Sequence, residues 1–302
     1  MDKKEYLRSW AETYKNDLTN NIMPFWLSHG WDKENGGIYT CLNRDGSLMD
    51  TTKSVWFQGR WAFICAFAYN NVEKNQEWLE AAKSAINFIE KHCFDENGHM
   101  YFEVTAEGKP LRKRRYVFSE TFAAIAFAEY SLATGDKHYA ERALQVFHDA
   151  QRFLSTPGFL PSKYEAGVEM QSHSIIMILI NVGSRLRAVI DDPTLTQQID
   201  DSISLLRRYF MHPEFKALLE TVGPKGEFID TNAARTINLV IALKRLGLLW
   251  RKRSYATGIK TYSTPPSLSS TGHGTGDGTS NMVVSSTSET AATSHHKTTR
   301  RI

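Results

Sequence analysis

The chain has 302 residues, of which 41% are hydrophobic and 12% aromatic, so it can bury a sizeable core. Its 36 basic and 33 acidic residues leave a formal net charge of +3, with basic clusters only at 112–115 and 251–253. This near balance disfavours a nucleic-acid-binding protein. No run reaches the roughly eighteen apolar residues of a membrane span, and the N-terminus lacks a signal peptide's apolar run. Because the three cysteines have no CxxC spacing, we expect a reducing, cytoplasmic setting.

Apolar residues recur with helical periodicity over the first 210 residues. One such stretch begins at Trp78, and another begins at Phe122 and ends at Gly135. The connections are alternately short and long, and the long ones are rich in glycine and charge. This alternation predicts stacked helical hairpins with functional loops on one face. The predicted helices are 3–27, 54–70, 75–92, 119–134, 138–153, 169–189 and 195–210.

A weak internal repeat supports the hairpin arrangement. The loop sequence GWDKENGGIY at 30–39 is echoed by FDENGHMY at 94–101. Such repetition is typical of a helical toroid. The sequence therefore predicts an all-α protein.

Composition changes sharply after Asn238. Residues 254–302 consist mainly of Ser, Thr and Gly, with almost no large apolar side chains. Such a segment cannot bury enough surface to order itself. The sequence thus predicts two regions, a helical fragment at 1–238 and a largely disordered tail at 239–302.

Four motifs resemble those of one enzyme family. They are GGIYTCLNRDG at 36–46, KSVWFQGR at 53–60, FSETF at 118–122 and GEFIDT at 226–231. Together they resemble the N-acylglucosamine 2-epimerases, and the likeness covers residues 1–238. The related cellobiose 2-epimerases usually carry a Met-His pair where this chain has Met177 and Ile178, which favours the N-acylhexosamine branch.

The resemblance implies an (α/α)6 barrel, here incomplete, and a carbohydrate isomerase that interconverts N-acetylglucosamine and N-acetylmannosamine. In this family, paired histidines remove and return the proton at C2 of a ring-opened aldose through an enediolate-like intermediate. We expect no redox cofactor, metal or nucleotide chemistry, although ATP can act as an effector in the family. The expected partner is a small amino sugar, with neither nucleic acid nor membrane, and a homodimer is compatible with this interpretation.

Arg60 is the candidate catalytic residue. Its planar, permanently charged guanidinium can hold the oxyanion that develops at C1 without giving up a proton. A surface ion pair is the alternative explanation, but the match of WFQGRW at 56–61 favours a functional role. Glu120, Trp56 and Tyr39 are candidate substrate-binding residues. The helix dipole accounts for Glu120 equally well, and core packing accounts equally well for the two aromatic residues.

The family's two catalytic histidines are missing from their expected positions. At Asn238 the family continues with Pro-Gly-His, whereas this chain continues with Leu239. If one base is lost at Asn238, codons for 239–248 can be chosen that spell Pro-Gly-His-Cys-Ile-Glu-Ala-Ala-Trp-Phe. The same shift lets 262–290 spell a segment containing GWDKQYGGI, which matches 30–38. We therefore predict a frameshift, although a genuine disordered tail is the alternative.

A frameshift at this point would leave the chain inactive. The in-frame alternatives for a catalytic base are His92, His138, His173 and His212, and their spacing marks none of them. Two other functions remain open. One is a cellobiose or mannose 2-epimerase, and the other is a non-catalytic helical-repeat scaffold that binds a sugar or a partner on its concave face.

Overall fold

The chain is mostly helical in a computed structural model that describes residues 2–113, 116–160, 169–235 and 237. All seven predicted helices are present, and the longest interval, predicted at 3–27, consists of two helices joined by a π-helical turn, Leu18–Ile22. The helix predicted at 169–189 begins later, at Ser174, because Gln171 and Ser172 pair with another strand. The helices are α1 (Lys3–Asp17), α2 (Met23–His29), α3 (Val55–Asn71), α4 (Gln76–His92), α5 (Phe118–Thr134), α6 (Lys137–Ser155), α7 (Ser174–Leu186), α8 (Pro193–Tyr209) and α9 (Asn232–Arg235).

Short antiparallel strands occupy the connections between the helices. They form one three-stranded sheet, β3-β4-β5, and three pairs, β1-β2, β6-β9 and β7-β8. None is longer than three residues, so the described fold remains in the all-α class. The strands are β1 (Cys41–Leu42), β2 (Leu48–Asp50), β3 (Lys53–Ser54), β4 (Glu103–Val104), β5 (Pro110–Arg112), β6 (Gln171–Ser172), β7 (Met211–His212), β8 (Ala217–Leu218) and β9 (Thr221–Val222).

The described residues divide into two units. The first takes its residues from 1–163 and 181–199, and the second from 164–180 and 200–302, so helices α7 and α8 each contribute to both. In the first unit, α3 packs against α4 and α5, and α5 packs against α6. Helix α5 is buried on most of its circumference, as expected for a helix with neighbours on several sides.

Helix ends in the first unit follow from their local sequence. Asn75 and Asp136 precede α4 and α6, and their side chains accept hydrogen bonds from the backbone N–H groups of Glu77 and His138, both at 2.9 Å. Gly135 ends α5 with φ of 75°, a left-handed conformation that glycine adopts without strain. The predicted hairpins α3–α4 and α5–α6 are thus connected by the short links that the sequence indicated.

The second unit has a small core of its own. Phe210, Leu219 and Val222 are buried together. The backbone N–H of His173 donates to the carbonyl of Glu220 at 3.3 Å, next to the pairing of β6 with β9. This pairing is the reason that α7 begins after residue 173.

The predicted tail at 239–302 lies outside the described residues. Within the part of the chain that the structure does describe, no helix is both long enough and apolar enough to cross a bilayer.

Candidate functional site

The loop that precedes α3 is held by a buried lysine. Lys53 Nζ lies 2.7 Å from Asp32 Oδ2 and donates to the carbonyl oxygens of Gly36 at 2.7 Å and Ala106 at 2.8 Å. The Lys53 side chain is fully buried, so all its donors are satisfied inside the protein. Because Lys53 belongs to β3, which runs directly into α3, this cluster fixes where α3 begins.

Gly59 brings α3 and α5 into close contact. A Cβ atom at this position would lie 2.7 Å from the backbone carbonyl carbon of Phe122 on α5, closer than real atoms approach. A residue with a side chain would therefore force the two helices apart. This contact places the next residue, Arg60, against the ring of Phe122.

Three aromatic rings lie against the guanidinium of Arg60, an exposed residue. Its Cζ atom lies 4.2 Å from the ring centroid of Phe122, 5.5 Å from that of Phe57 and 5.9 Å from that of Trp56. Among the described residues, no carboxylate forms an ion pair with Arg60. Partial desolvation lowers the pKa of Arg60, because the charged form is less well solvated beside the rings. Arg60 is thus a cation whose donors are available to an external oxygen.

Trp56 lies one helical turn before Arg60 in an aromatic cluster. Its ring meets those of Phe102 at 5.4 Å and Phe118 at 5.2 Å, both edge to face. Trp56 is only partly buried, so part of its ring remains accessible. The structure therefore brings Trp56 and Arg60 together, as the predicted role of both residues requires.

Tyr39 lies in the loop beside the Lys53 cluster. Burial, together with a hydrogen bond to the Asp32 carboxylate and the negative charge of that group, raises the pKa of Tyr39 to about 12. The phenol is therefore neutral near pH 7. Lys53 Nζ lies 5.1 Å from the ring centroid, so Tyr39 also contacts the structural cluster.

Glu120 is fully buried and contacts a histidine. Its Oε1 atom accepts a hydrogen bond from the Met100 N–H at 2.7 Å and lies 2.6 Å from His99 Nδ1. The other carboxylate oxygen has no partner among the described residues. Glu120 and Arg60 form no ion pair with each other in the described structure, and the hydrogen-bonding contacts of Glu120 are with His99 and Met100.

The sequence interpretation missed His99 as a site residue. One signal was available, because His99 occupies, in the second copy of the repeated loop, the position of Gly37 in the first. A histidine in place of a glycine marks a point where the two copies differ. In the structure its ring is buried and meets the stacked rings of Phe153 and Phe159 edge to face, with centroid distances of 5.2 and 5.7 Å.

Arg60 also lines an apolar pocket of about 340 Å³. Aside from Arg60 and Tyr39, its lining is hydrocarbon or aromatic, and no histidine or carboxylate of the described chain lines it. Trp56 and Glu120 do not line this pocket. The lining residues are Leu18, Ile22, Met23, Trp26, Ile38, Tyr39, Phe57, Arg60, Trp61 and Ile64.

None of the four alternative histidines lines this pocket, and two of them belong to the second unit. His92 ends α4, where burial lowers its pKa, and His138 is exposed at the start of α6. His173 and His212 belong to the second unit, where His212 Nδ1 lies 2.7 Å from Glu214 Oε1. Across the described ranges, no group of three His, Cys, Asp or Glu side chains is arranged to hold a metal ion.

Comparisons with known proteins agree with the motif resemblance. Residues 36–163 match the family model described as N-acylglucosamine 2-epimerase (GlcNAc 2-epimerase). The chain is 28% identical over 237 residues to the N-acylglucosamine 2-epimerase of Bos taurus, covering 75% of this chain and 56% of the relative. It is 33% identical over 140 residues to the cellobiose 2-epimerase of Ruminococcus albus, covering 46% of this chain and 36% of that protein. The chain thus spans about half the length, or less, of these relatives.

Solved structures agree on the fold. The cellobiose 2-epimerase from Spirochaeta thermophila DSM 6192 superposes with a TM-score of 0.72 at 20% identity, covering 84% of this chain and 66% of that chain. A sugar epimerase from a ruminal bacterium gives a TM-score of 0.68 at 22% identity, covering 82% and 68%. The predicted fold class, an incomplete (α/α)6 barrel of helical hairpins, is confirmed.

Proposed function

Because the chain carries a segment of the N-acylglucosamine 2-epimerase family, we propose that it derives from an epimerase that interconverts N-acetylglucosamine and N-acetylmannosamine. The reaction removes the proton at C2 of the open-chain sugar and returns it on the opposite face. The observation that carries this proposal is the guanidinium of Arg60, which has no counter-ion among the described residues and lies beside the partly accessible ring of Trp56.

Arg60 is suited to stabilise the intermediate. Removal of the C2 proton places negative charge on the oxygen at C1, and a base that works near pH 7 needs that charge to be stabilised. A guanidinium offers two parallel donors and stays charged, so it stabilises the oxyanion without competing for the proton. The aromatic rings around Arg60 exclude water from one side, which strengthens the electrostatic interaction.

Trp56 and Tyr39 are the proposed binding surfaces for the sugar. A sugar ring or chain presents C–H groups that pack on an aromatic face, and Trp56 retains accessible surface next to Arg60. The complete burial of Glu120 supports a different role for this residue, namely holding the loop at Met100 rather than contacting substrate. We therefore assign substrate contact to Arg60, Trp56 and Tyr39, and loop support to Glu120.

The chain in its given reading frame is proposed to be inactive. Arg60 cannot act as the base, and no histidine or carboxylate of the described chain lines the pocket beside it. In the family, the Pro-Gly-His segment supplies one base, and here codons for 239–248 can be chosen so that a frame shifted at Asn238 spells that segment. Without a base close to the C2 hydrogen, proton exchange should be lost entirely.

The test is exchange of the C2 hydrogen of N-acetylmannosamine in deuterated buffer, followed by proton NMR. We expect no exchange with the 302-residue chain and measurable exchange with a variant in which one base is restored at the Asn238 codon. In that variant, Arg60→Met should lower the rate by about 10²- to 10³-fold, as for loss of an oxyanion donor. Arg44→Met, at an exposed loop position, is the matched control and should retain the rate.

Two outcomes would contradict the proposal in different ways. Exchange by the unaltered chain would mean that an in-frame residue acts as the base. Absence of exchange by the frame-restored variant with N-acetylmannosamine, together with exchange of cellobiose or mannose, would favour the cellobiose or mannose 2-epimerase alternative, which the similarity to the Ruminococcus albus enzyme supports. Sugar binding without exchange on any of these substrates would favour the non-catalytic scaffold.

A cytoplasmic location belongs to the same proposal. Cys41, Cys65 and Cys93 are all free thiols, as expected in a reducing compartment. Fractionation of cells that produce the protein tests this assignment, and recovery of the protein from a secreted or membrane fraction would contradict it.

A further inference from the structure

The pocket that Arg60 lines is formed by four parts of the first unit. Its walls come from the π-helical turn, from α2, from the loop at 38–39 and from α3. Its volume of about 340 Å³ lies at the lower end of the range for small-molecule sites, roughly 300 to 1,000 Å³. Three of its apolar side chains, Ile22, Phe57 and Ile64, are 45%, 45% and 41% exposed. An apolar surface that is open to solvent in this way is typical of a ligand groove or an interface.

The chemistry of the lining restricts what the pocket can bind. Apart from Arg60 and Tyr39, its side chains are aliphatic, aromatic or, at Met23, a thioether. The hydroxyl of Tyr39 is already hydrogen-bonded to the Asp32 carboxylate. A sugar with several hydroxyl groups would therefore leave buried polar groups unpaired, and Trp56, the ring proposed to hold the sugar, does not line this pocket. The lining favours a ligand that is mostly hydrocarbon.

The guanidinium of Arg60 determines the charge that such a ligand should carry. Arg60 has the one formal charge among the described residues that line the pocket, and no carboxylate of the described chain forms an ion pair with it. The ring faces of Phe57 and Phe122 attract the cation, but they do not replace a carboxylate as a hydrogen-bond acceptor. A carboxylate accepts two parallel N–H donors from a guanidinium. The ligand should therefore have one anionic head group, and a carboxylate fits the guanidinium in both charge and shape.

We propose that this pocket binds a medium-chain fatty acid, with the hydrocarbon chain against the apolar walls and the carboxylate on Arg60. The walls provide the affinity, because each methylene group that leaves water contributes favourable free energy. Arg60 provides the preference for an anion. The two features together define the ligand class, since a sugar lacks the hydrocarbon chain and an uncharged apolar solute lacks a partner for Arg60. The proposal does not depend on the proposed epimerase activity.

Chain length tests the contribution of the apolar walls. Isothermal titration calorimetry measures the binding of hexanoate, octanoate and decanoate to the full 302-residue chain at about pH 7, each below the concentration at which it forms micelles. Burial of one methylene group contributes about 0.8 kcal/mol, so the dissociation constant should fall roughly fourfold for each added methylene. The expected change from octanoate to decanoate is thus roughly 15-fold.

Head-group charge tests the contribution of Arg60. Decyltrimethylammonium has a chain of the same length as decanoate and the opposite charge, so it should bind at least about tenfold more weakly. Arg60→Met replaces the guanidinium by an uncharged side chain. This variant should bind decanoate at least about tenfold more weakly, whereas its affinity for decyltrimethylammonium should not fall. Opposite responses to the two ligands would separate the loss of a charge from a loss of folding.

Two exposed apolar residues provide a matched pair of variants. Ile64→Ser removes hydrocarbon from the pocket and should weaken the binding of both ligands roughly tenfold. Leu132→Ser removes a side chain that is 48% exposed on α5 and does not line the pocket, so it should bind both ligands as the unaltered chain does. Circular dichroism checks folding, and all three variants should retain the helical signal because the replaced residues are exposed.

Four results would overturn the proposal. The first is that decanoate does not bind. The second is equal affinity for decanoate and decyltrimethylammonium, since the ligand would then adsorb through its hydrocarbon chain alone. The third is equal weakening by Ile64→Ser and Leu132→Ser, which would place the binding outside the pocket. The fourth is self-association of the unaltered chain that Ile64→Ser abolishes, because a second copy of the chain would then cover the pocket.

Discussion

The two copies of the repeated loop have similar turns, that of the first copy being one residue longer, and the two are held in different ways. In each copy an aspartate organises the turn: Asp32 accepts hydrogen bonds from the backbone N–H of Glu34 and Asn35, and Asp95 from that of Asn97 and His99. Each aspartate also pairs with a lysine. In the first copy that lysine, Lys53, is fully buried, whereas in the second copy the side chain of Lys113 is 45% exposed.

A second difference lies at the edge of each loop. In the first copy, the amide of Gln58 forms two hydrogen bonds of 2.8 Å with the backbone of Ile38, one to the N–H and one to the carbonyl. In the second copy, Glu120 accepts from the Met100 N–H, but a carboxylate cannot donate to the carbonyl, and His99 provides its other contact. Gly37 makes the first arrangement possible, because a Cβ there would lie 2.3 Å from Gln58 Oε1.

These differences indicate that the first loop is the more rigid of the two. Lys53 joins its own strand to two other segments of chain. Its hydrogen bonds reach Asp32 and Gly36 in the loop and Ala106 further along the chain. Helix α3, which carries Arg60, begins two residues after Lys53. A rigid loop at this point holds the helix that carries the proposed catalytic residue, as a precise site requires.

Replacement of the two lysines should give the largest difference between the loops. Lys53→Met leaves the buried Asp32 carboxylate without its cation and two carbonyl groups without this donor, and should lower the free energy of unfolding by about 3 to 5 kcal/mol. Lys113→Met removes a partly exposed pair and should cost at most about 1 kcal/mol. Urea unfolding followed by circular dichroism measures both. Equal losses would show that burial does not distinguish the two clusters.

The second difference is the amide of Gln58 in the first loop and the carboxylate of Glu120 in the second. Replacing each group by the other tests this difference. Gln58→Glu places an acceptor against the Ile38 carbonyl in a buried position and should cost about 2 to 4 kcal/mol. Glu120→Gln should cost less, about 1 to 2 kcal/mol, because an amide oxygen there can keep the bond to Met100, whereas the NH₂ in place of the unpartnered oxygen gains no acceptor. The same unfolding assay applies. A larger cost for Glu120→Gln than for Gln58→Glu would contradict the comparison.

Sequence reasoning predicted the helices well and the site only in part. Apolar periodicity is a local signal, so it located α3 to within a residue or two, and with it the shared face of Trp56 and Arg60. The partner of Glu120 depends on His99, which is twenty-one residues away, and no local pattern encodes that contact. Strand β6 was missed for the same reason, since it forms only by pairing with residues 221 and 222.

Acidification should remove the stability that the Asp32 carboxylate contributes. Burial raises the pKa of Asp32, but hydrogen bonds to Lys53 and Asn35 and the lysine charge outweigh it and lower the pKa from 3.8 to about 2. A carboxyl group with a lowered folded-state pKa contributes stability above its unfolded pKa and loses it as pH falls through the folded value. The stability that Asp32 contributes should therefore be lost between about pH 4 and pH 2.

The measurement compares the unaltered chain with Asp32→Asn by urea unfolding at pH 5 and pH 2. The gap in unfolding free energy should shrink by about 2 kcal/mol on acidification, because only the unaltered chain protonates at this position. Asp95→Asn is the matched comparison, since the pKa of Asp95 is also lowered, by Lys113 and two backbone N–H groups that outweigh its burial. A gap for Asp32→Asn that stays constant with pH would contradict the assigned pKa.

The turn glycines should show the smallest difference, because each turn contains a glycine in the same left-handed conformation. Gly36 and Gly98 have φ of 85° and 79°, and a Cβ on either would meet only ordinary contacts, at 3.5 Å or more. Gly36→Ala and Gly98→Ala should therefore each cost about 1 to 2 kcal/mol, the strain of a left-handed backbone, with no additional steric term. Gly37→Ala is the control that should cost more, because it has φ of 73° and its Cβ would also displace Gln58. If urea unfolding gave costs for Gly36→Ala and Gly98→Ala that differed by more than about 1 kcal/mol, the two loops would differ in the turn itself, and the contrast between them could not be assigned to Lys53 and Gln58 alone.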